Sequence, residues 1–470
     1  MSSLTASMLR SPSLEDQALV VTPTDLSLLT DLYQLTMTAC YVGEQLDQRT
    51  ASFELFARRL PPGFGYLIAM GLAQALEYLE NLHFSQKQLE QLQATRIFAH
   101  APDEFWSLLA NGRFTGEVWA VPEGTAVFAN EPLLRVEAPL WQAQLVETYL
   151  LNAVNYQTLI ATRAARMRDA AGLEATLLEF GTRRAFGPQA SVWAARAALA
   201  AGMNATSNVL AALQLGRKPA GTMAHSLVMA LAATEGGETQ AFTAFHRYFP
   251  GAPLLIDTYD VVAAAKSLAE RVECGELQLA GVRLDSGDLL SLSKQVRQLL
   301  PGVSIFASGD LDEYRIAELR AAGACIDGYG LGTQLVTGSP VNGVYKLVEI
   351  DGIPVMKEAI GKVTYPGRKQ VFRRYESGVA VSDRLGLVPA TDEETHQPSG
   401  DEQPLLQCVM RHGQRVSPPE SLDAIAQRTM QSVASLPLET RNFHTPVSLP
   451  VQLSSELEAL IEQTQRRIHQ

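Results

Sequence analysis

Apolar positions change their period several times along the chain, and each change predicts an element. Leu26, Leu28, Leu29, Leu32, Tyr33, Leu35 and Met37 recur at helical spacing, which predicts a helix from near Asp25. Residues 51–57 (ASFELFA) read as a strand, and Pro61-Pro62-Gly63 breaks the chain. Residues 66–98 read as helical, with Leu67, Met70, Leu72, Leu76 and Leu79 on one face. Residues 114–136 predict short strands around turns at Pro122-Glu123-Gly124 and Asn130-Glu131-Pro132.

From about 142 to 345 short strand-like runs alternate with Ala-rich helical segments. The candidate strands are 175–180, 205–207, 219–225, 253–257, 280–285, 304–308 and 325–329. An eighth is sought near 150–160 or 344–349. Repeated βα units in that number predict an α/β fold built on an irregular (β/α) barrel rather than an open doubly wound sheet. Residues 344–375 return to strand character, 388–404 form a polar acidic loop, and 454–468 predict an amphipathic helix. The expected organisation is a disordered leader over 1–25, an N-terminal α/β domain over 26–141, the barrel over 142–345, and a C-terminal segment over 346–470 packing on the N-terminal domain.

Composition narrows the class of molecule. Hydrophobic residues make up 46% and charged residues 19%, ordinary for a globular chain. Thirty-eight Lys and Arg against fifty Asp and Glu give a net charge of −12, the reverse of a nucleic-acid binder. Cys40, Cys274, Cys325 and Cys408 are scattered, with neither the spacing of a zinc site nor the density of a disulfide framework. The N-terminus lacks the apolar core of a signal peptide, and no apolar run reaches the ~18 residues of a membrane span. The expectation is a cytoplasmic protein with no nucleic-acid or membrane partner.

The ends of the predicted strands carry the chemistry. Apolar runs finish in Glu179-Phe-Gly181-Thr-Arg183-Arg184, Gly221-Thr222-Met-Ala-His225-Ser226, Asp257-Thr-Tyr259-Asp260, Arg283-Leu-Asp285-Ser286-Gly287-Asp288, Ser308-Gly309-Asp310 and Gly330-Leu-Gly332-Thr333. In a parallel barrel all strand C-termini open on one face, where active sites lie. Polar residues opening loops explain one or two such clusters, but not Arg, Asp and His directly after nearly every apolar run.

Ser308-Gly309 and Gly330-Leu331-Gly332-Thr333 suit phosphate, because glycine lets backbone N–H groups approach an anion closely. Asp310 would serve equally as a helix N-cap. Arg183 and Arg184 suit phosphate by their planar donor fork, and a surface ion-pair network would use the same residues. Arg283 and Asp285 alternate on a strand and face one side, so the aspartate or a substrate carboxylate is the arginine's partner. Asp257, Asp285 and Asp288 would hold Mg²⁺ or stabilise a cationic centre. A lone histidine such as His225 is also compatible with a satisfied core residue. A P-loop and a G-x-S-x-G elbow are absent, and no strand-end Lys offers a Schiff base.

Taken in order, LLTDLYQLTM (28–37), ASFELFARRLP (51–61), GYLIAMGL (65–72), EFGTRRA (179–185), GTMAHS (221–226), IDTYD (256–260), GVRLDSGDL (281–289), GYGLGTQLV (328–336) and VYKLV (344–348) resemble the nicotinate phosphoribosyltransferases. The resemblance spans most of residues 29–350 and weakens beyond about 376. It implies a type II phosphoribosyltransferase-like fold and a homodimer. It also implies transfer of phosphoribosyl from phosphoribosyl pyrophosphate to nicotinate, with ATP as co-substrate and Mg²⁺ as cofactor.

By the same resemblance His225 is a transiently phosphorylated histidine, and Tyr33, Thr222 and Arg283 are nicotinate contacts. Thr333, with Arg183 and Arg184, serves the phosphates. Asp285 and Arg183 stand with His225 as the catalytic candidates. Ser308, Gly309, Gly330 and Gly332 complete the substrate set, and Asp257 and Asp288 are the metal candidates. A nicotinamide or quinolinate phosphoribosyltransferase, or a catalytically silent metabolite-binding barrel, is the alternative.

Overall fold

The computed structural model describes residues 19–359, 364–388 and 402–470. Two sheets dominate it. The first is antiparallel and seven-stranded, in the order Ile353–Pro354, Gly343–Ile350, Thr50–Ala57, Pro132–Pro139, Glu117–Ala120, Gln407–Arg411, Gln414–Arg415. It therefore draws strands from both ends of the chain. The 345/346 boundary falls inside the Gly343–Ile350 strand, and the 141/142 boundary inside the Leu140–Leu145 helix.

Thr50–Ala57 is central and buried at every position after the first, so its alternating Ser52 and Glu54 are buried along with its apolar residues. Glu54 is the charged residue of the strand. Its carboxylate meets Lys369 Nζ at 2.8 Å with both side chains almost fully buried, tying this strand to the hairpin of Lys369–Glu376 and Val379–Leu387. Burial pulls the Lys369 pKa down, and Glu54 opposes it.

The second sheet is parallel and six-stranded, in the order Ala205–Thr206, Thr176–Glu179, Gly328–Leu331, Ser304–Ala307, Gly281–Leu284, Leu254–Leu255. The last strand in sequence pairs with the first, Gly328–Leu331 against Thr176–Glu179. The order thus runs cyclically through the chain and opens only between Ala205–Thr206 and Leu254–Leu255. Segment 219–224 lies across that opening as coil rather than as the expected strand. Ala220 N donates to Thr206 O at 2.9 Å, and Thr222 Oγ1 donates to Pro253 O. Pro219 has no N–H to give a ladder, so one backbone bond and one side-chain bond bridge the gap.

Other expectations are corrected. Residues 150–160 belong to the 25-residue helix Glu147–Ala171, and 344–349 to the antiparallel sheet, so neither supplies an eighth strand. That helix packs on Pro188–Ala200 and Glu313–Ala321, and most of its circumference is buried. The last parallel strand is Gly328–Leu331, three residues later than the sequence suggests. Asp327 is occupied in accepting from Ile305 N at 2.7 Å and pairing with Arg297. Two glycines stand in that strand because a Cβ at Gly328 would lie 2.6 Å from the Phe306 ring, and one at Gly330 2.5 Å from the Phe180 ring.

The predicted 66–98 helix is a short strand, Leu67–Ile68, followed by helices Leu72–Asn81 and Gln86–Ala94. The break is set by the Ser85 capping box. Within the expected leader and first helix, Pro23–Leu28 forms a 3₁₀ turn and the α-helix begins at Leu32. Residues 1–18, and 389–401 of the acidic loop, lie outside the described residues. Among those described, no helix is long and apolar enough to cross a membrane.

Candidate active site

The C-terminal ends of the parallel strands gather the polar clusters. Glu179 closes the Thr176–Glu179 strand and is fully buried. Its carboxylate accepts from Gly181 N and from Thr206 Oγ1, fixing the following loop to the neighbouring strand. Burial pushes its pKa up, against those two bonds. Arg183 and Arg184 project from that loop as exposed residues. Among the described residues neither pairs with a carboxylate, so the surface ion-pair network does not form.

Arg283 is the penultimate residue of the Gly281–Leu284 strand, with its side chain mostly buried, at 14% exposure. Its Nε is buried without a hydrogen-bond partner among the described residues. Burial lowers its pKa most, Asp285 and Asp257 oppose this, and the Arg183 charge adds to the lowering. Around the guanidinium a narrow cavity is lined by Leu178, Phe180, Gly221, Thr222, Pro253, Phe306 and Gly330. A desolvated cation short of a hydrogen-bond partner calls for an anion.

His225 is the first residue of the His225–Glu235 helix. Its Nδ1 lies 3.1 Å from Thr258 Oγ1, and its Nε2 lies 4.0 Å from Asp257 Oδ1 and 3.9 Å from Asp285 Oδ2. Asp257 is nearly fully buried. Its Oδ2 accepts from Asp285 N at 2.9 Å and Ser286 Oγ at 2.7 Å, while its Oδ1 has no hydrogen-bond partner among the described residues. Ser308 Oγ donates to Asp285 Oδ1 at 2.5 Å. Gly309, at φ +92°, runs so close beneath that a Cβ would sit 2.0 Å from Asp285 O. One histidine is thus flanked by two carboxylates, each anchored by neighbouring loops.

The remaining candidates are placed as follows. Gly332 precedes the short helix Thr333–Val336, which Thr333 opens. Asp288 caps the Leu289–Leu299 helix, accepting from Ser291 N at 3.3 Å. Asp310 is not the N-cap of the next helix, because Asp312 takes that role by accepting from Arg315 N at 2.8 Å. Among the described residues no three His, Cys, Asp or Glu side chains cluster for a metal.

Tyr33 lies apart from Arg283, in a cavity of about 430 Å³ lined also by Asp31, Glu147, Asn152, Asn155, Tyr156 and Phe186. Its pKa is pushed up to about 12, first by burial and then by the Glu147 and Asp31 charges. The ring is nevertheless 46% exposed. Sequence reasoning missed the Phe180 and Phe306 rings and Thr258. Phe180 was signalled by its place between Glu179 and Gly181 at a strand end, but Phe306 reads as an ordinary core residue of its strand.

Known proteins match the chain along most of its length. Residues 28–155 match the nicotinate phosphoribosyltransferase N-terminal domain, 175–305 the nicotinate phosphoribosyltransferase family, and 368–461 the nicotinate phosphoribosyltransferase C-terminal domain. The chain is 44% identical over 448 residues to nicotinate phosphoribosyltransferase pncB2 of Mycobacterium tuberculosis, covering 92% of each chain. It is 45% identical over 368 residues to the Bacillus subtilis nicotinate phosphoribosyltransferase, covering 74% of this chain and 73% of that one. The crystal structure of human nicotinic acid phosphoribosyltransferase superposes with a TM-score of 0.79 at 31% identity, over 93% of this chain and 99% of that one. With its strand-end cluster, its mixed α/β fold and these matches along nearly its whole length, the chain belongs to the nicotinate phosphoribosyltransferase family.

Proposed function

We propose that this protein transfers phosphoribosyl from phosphoribosyl pyrophosphate to nicotinate, giving nicotinate mononucleotide and pyrophosphate. The observation that carries this is the buried Arg283 guanidinium, with an unpartnered Nε, in a cavity shared with Thr222 and Phe180. A pyridine carboxylate supplies the missing anion, and the rings accept its flat face. Nicotinamide offers no charge for that pair, so this geometry favours the acid over the amide.

The reaction breaks the anomeric C–O bond to pyrophosphate and forms a C–N bond to the pyridine nitrogen. That nitrogen carries no proton, so no general base is required. Catalysis reduces to positioning and charge. Asp285, held by Ser308, supports the oxocarbenium character at the anomeric carbon. Arg183 and Arg184, free of carboxylate partners among the described residues, receive the phosphates, together with Thr333 and the backbone made approachable at Gly309, Gly330 and Gly332. The cyclic strand order, bridged at 219–224, is read as an irregular barrel with this site at its mouth.

ATP coupling is assigned to His225. A ring nitrogen takes the γ-phosphoryl, an N–P bond replaces the P–O bond, and ADP leaves. Mg²⁺ fits the residues present: Asp257 keeps a buried, unpartnered Oδ1 beside Asp285, and this ion is held by one or two carboxylates plus substrate phosphates. When bound it would neutralise phosphate charge. Asp288 is engaged as a helix cap and is the weaker ligand. A homodimer would bring Tyr33 of one protomer to the Arg283 cavity of the other, because Tyr33 is exposed and lies outside that cavity within its own chain.

The test is a mass-spectrometric product assay with phosphoribosyl pyrophosphate and Mg²⁺, offering nicotinate, nicotinamide and quinolinate separately, each with and without ATP. Nicotinate mononucleotide from nicotinate, stimulated by ATP, is the expected result. Product from nicotinamide alone would withdraw the Arg283 argument. No product from any base would leave a silent binding barrel.

A further inference from the structure

Thr258 follows Asp257 directly, three residues beyond the Leu254–Leu255 strand, and its Oγ1 lies 3.1 Å from His225 Nδ1. This is the single side-chain hydrogen bond on the imidazole among the described residues. The two carboxylates on the other side, at 4.0 and 3.9 Å from Nε2, are beyond hydrogen-bond reach. They exert a field without fixing a direction. The histidine ring torsion is broad and roughly two-fold, and a ring that is 38% exposed is not locked by packing.

Orientation therefore depends on the Thr258 hydroxyl. Threonine suits the task because its β-branch restricts χ1 and holds Oγ1 in place before any ligand arrives. A hydroxyl both donates and accepts, so this contact holds the ring whichever nitrogen carries the proton.

We propose that Thr258 is the positioning residue of the ATP-coupling step, its hydroxyl holding the His225 imidazole in one orientation between Asp257 and Asp285. This rests on the reading of His225 as the phosphoryl acceptor. The consequence is a division of labour within IDTYD. Asp257 sets the charge at one face of the ring, and its neighbour Thr258 sets the angle from the other. Transfer to a wrongly turned ring would be slow, while nicotinate binding, which involves other side chains, would not depend on it directly.

The experiment compares the full-length wild-type protein with Thr258→Val, Thr258→Ser, Thr258→Ala and His225→Ala. Acid-labile phosphoprotein formed from γ-labelled ATP, ATP consumed per nicotinate mononucleotide made, and ATP-free synthesis are measured together, with thermal unfolding as the folding check. Thr258→Val should slow phosphoprotein formation about 10-fold, the worth of one hydrogen bond. That fall should clearly exceed any fall in ATP-free synthesis, and Thr258→Ser should restore most of it. If Thr258→Val does not fold, Thr258→Ala against Thr258→Ser gives the same comparison. Wild-type phosphorylation in a folded hydroxyl-free variant, or a Ser variant as impaired as Val, would overturn the proposal while leaving the His225 reading intact. ATP coupling that survives in His225→Ala would overturn both, because Thr258 would then have nothing to position.

Discussion

Arg283 Nη2 faces Asp285 Oδ1 across 3.9 Å, close enough to feel its charge and too far to share a proton. The same Asp285 oxygen is taken by Ser308. The nearest carboxylate therefore leaves the guanidinium open to a ligand instead of closing an internal ion pair.

It follows that Arg283→Ala should raise the KM for nicotinate far more than that for phosphoribosyl pyrophosphate. A charge-assisted hydrogen bond is worth about 1.5–3 kcal/mol, or roughly 10- to 150-fold in kcat/KM. Steady-state kinetics with each substrate varied in turn decides this, and equal effects on both would sink the assignment.

His225→Ala should abolish stimulation by ATP and keep some uncoupled synthesis, because the pyridine nitrogen attacks without help from the imidazole. The readout is nicotinate mononucleotide formed at fixed substrate with and without ATP. Undiminished stimulation would remove His225 from the coupling step.

Gly309→Ala should disturb the carboxylate cluster. The new Cβ would lie 2.0 Å from Asp285 O at a φ of +92°, so both backbone strain and collision act. Synthesis at saturating substrate should fall at least about 10-fold, as expected when reacting groups shift by tenths of an ångström to one ångström. A fully active alanine variant would show that Asp285 is not held from beneath.

Glu238 should make stability depend on pH. It opens the Glu238–Tyr248 helix with Oε1 buried and unpartnered. Burial first, then the charges of Asp257 and Asp260, push its pKa from 4.5 to about 7. The folded state therefore holds this proton more tightly than the unfolded chain. Its contribution is fully present below about pH 4.5 and is lost as pH rises through about 7. Urea unfolding at pH 5 and pH 8 should show a smaller difference in Glu238→Gln than in wild type, and equal differences would refute the shift.

Glu131 should behave as a neutral acid. It is fully buried, and burial followed by the Asp383 charge raises its pKa well above the usual carboxylate range. Its partner Asp383 receives Arg373 Nε at 2.9 Å and Nη2 at 2.6 Å with no exposure of either side chain. Glu131→Gln should leave the thermal midpoint nearly unchanged. Arg373→Met strands a buried Asp383 and should cost about 3–5 kcal/mol. Calorimetry on the two variants checks both, and a strongly destabilised Glu131→Gln would show the carboxylate to be ionised.

By itself the sequence determined what acts over a few residues. Alternation at 51–57 and the apolar runs ending at Glu179, Asp257, Arg283 and Ser308 locate strands and the chemistry at their ends, because period and strand termini are local properties. The motifs also carry the family resemblance. It could not determine that 219–224 is coil, since an apolar run looks the same whether or not a ladder receives it. Nor could it separate the helix at 150–160 from a strand, because a helix buried on nearly every side lacks a polar face to mark its period. Only the tertiary structure decided which distant residues meet. His225 touches Thr258, 33 residues later, and Ser308 reaches Asp285, 23 residues earlier. Tyr33, 46% exposed, is left in a separate cavity from Arg283. Those meetings follow from strand order and register, which are set by packing across the whole core and are written in no single stretch of chain.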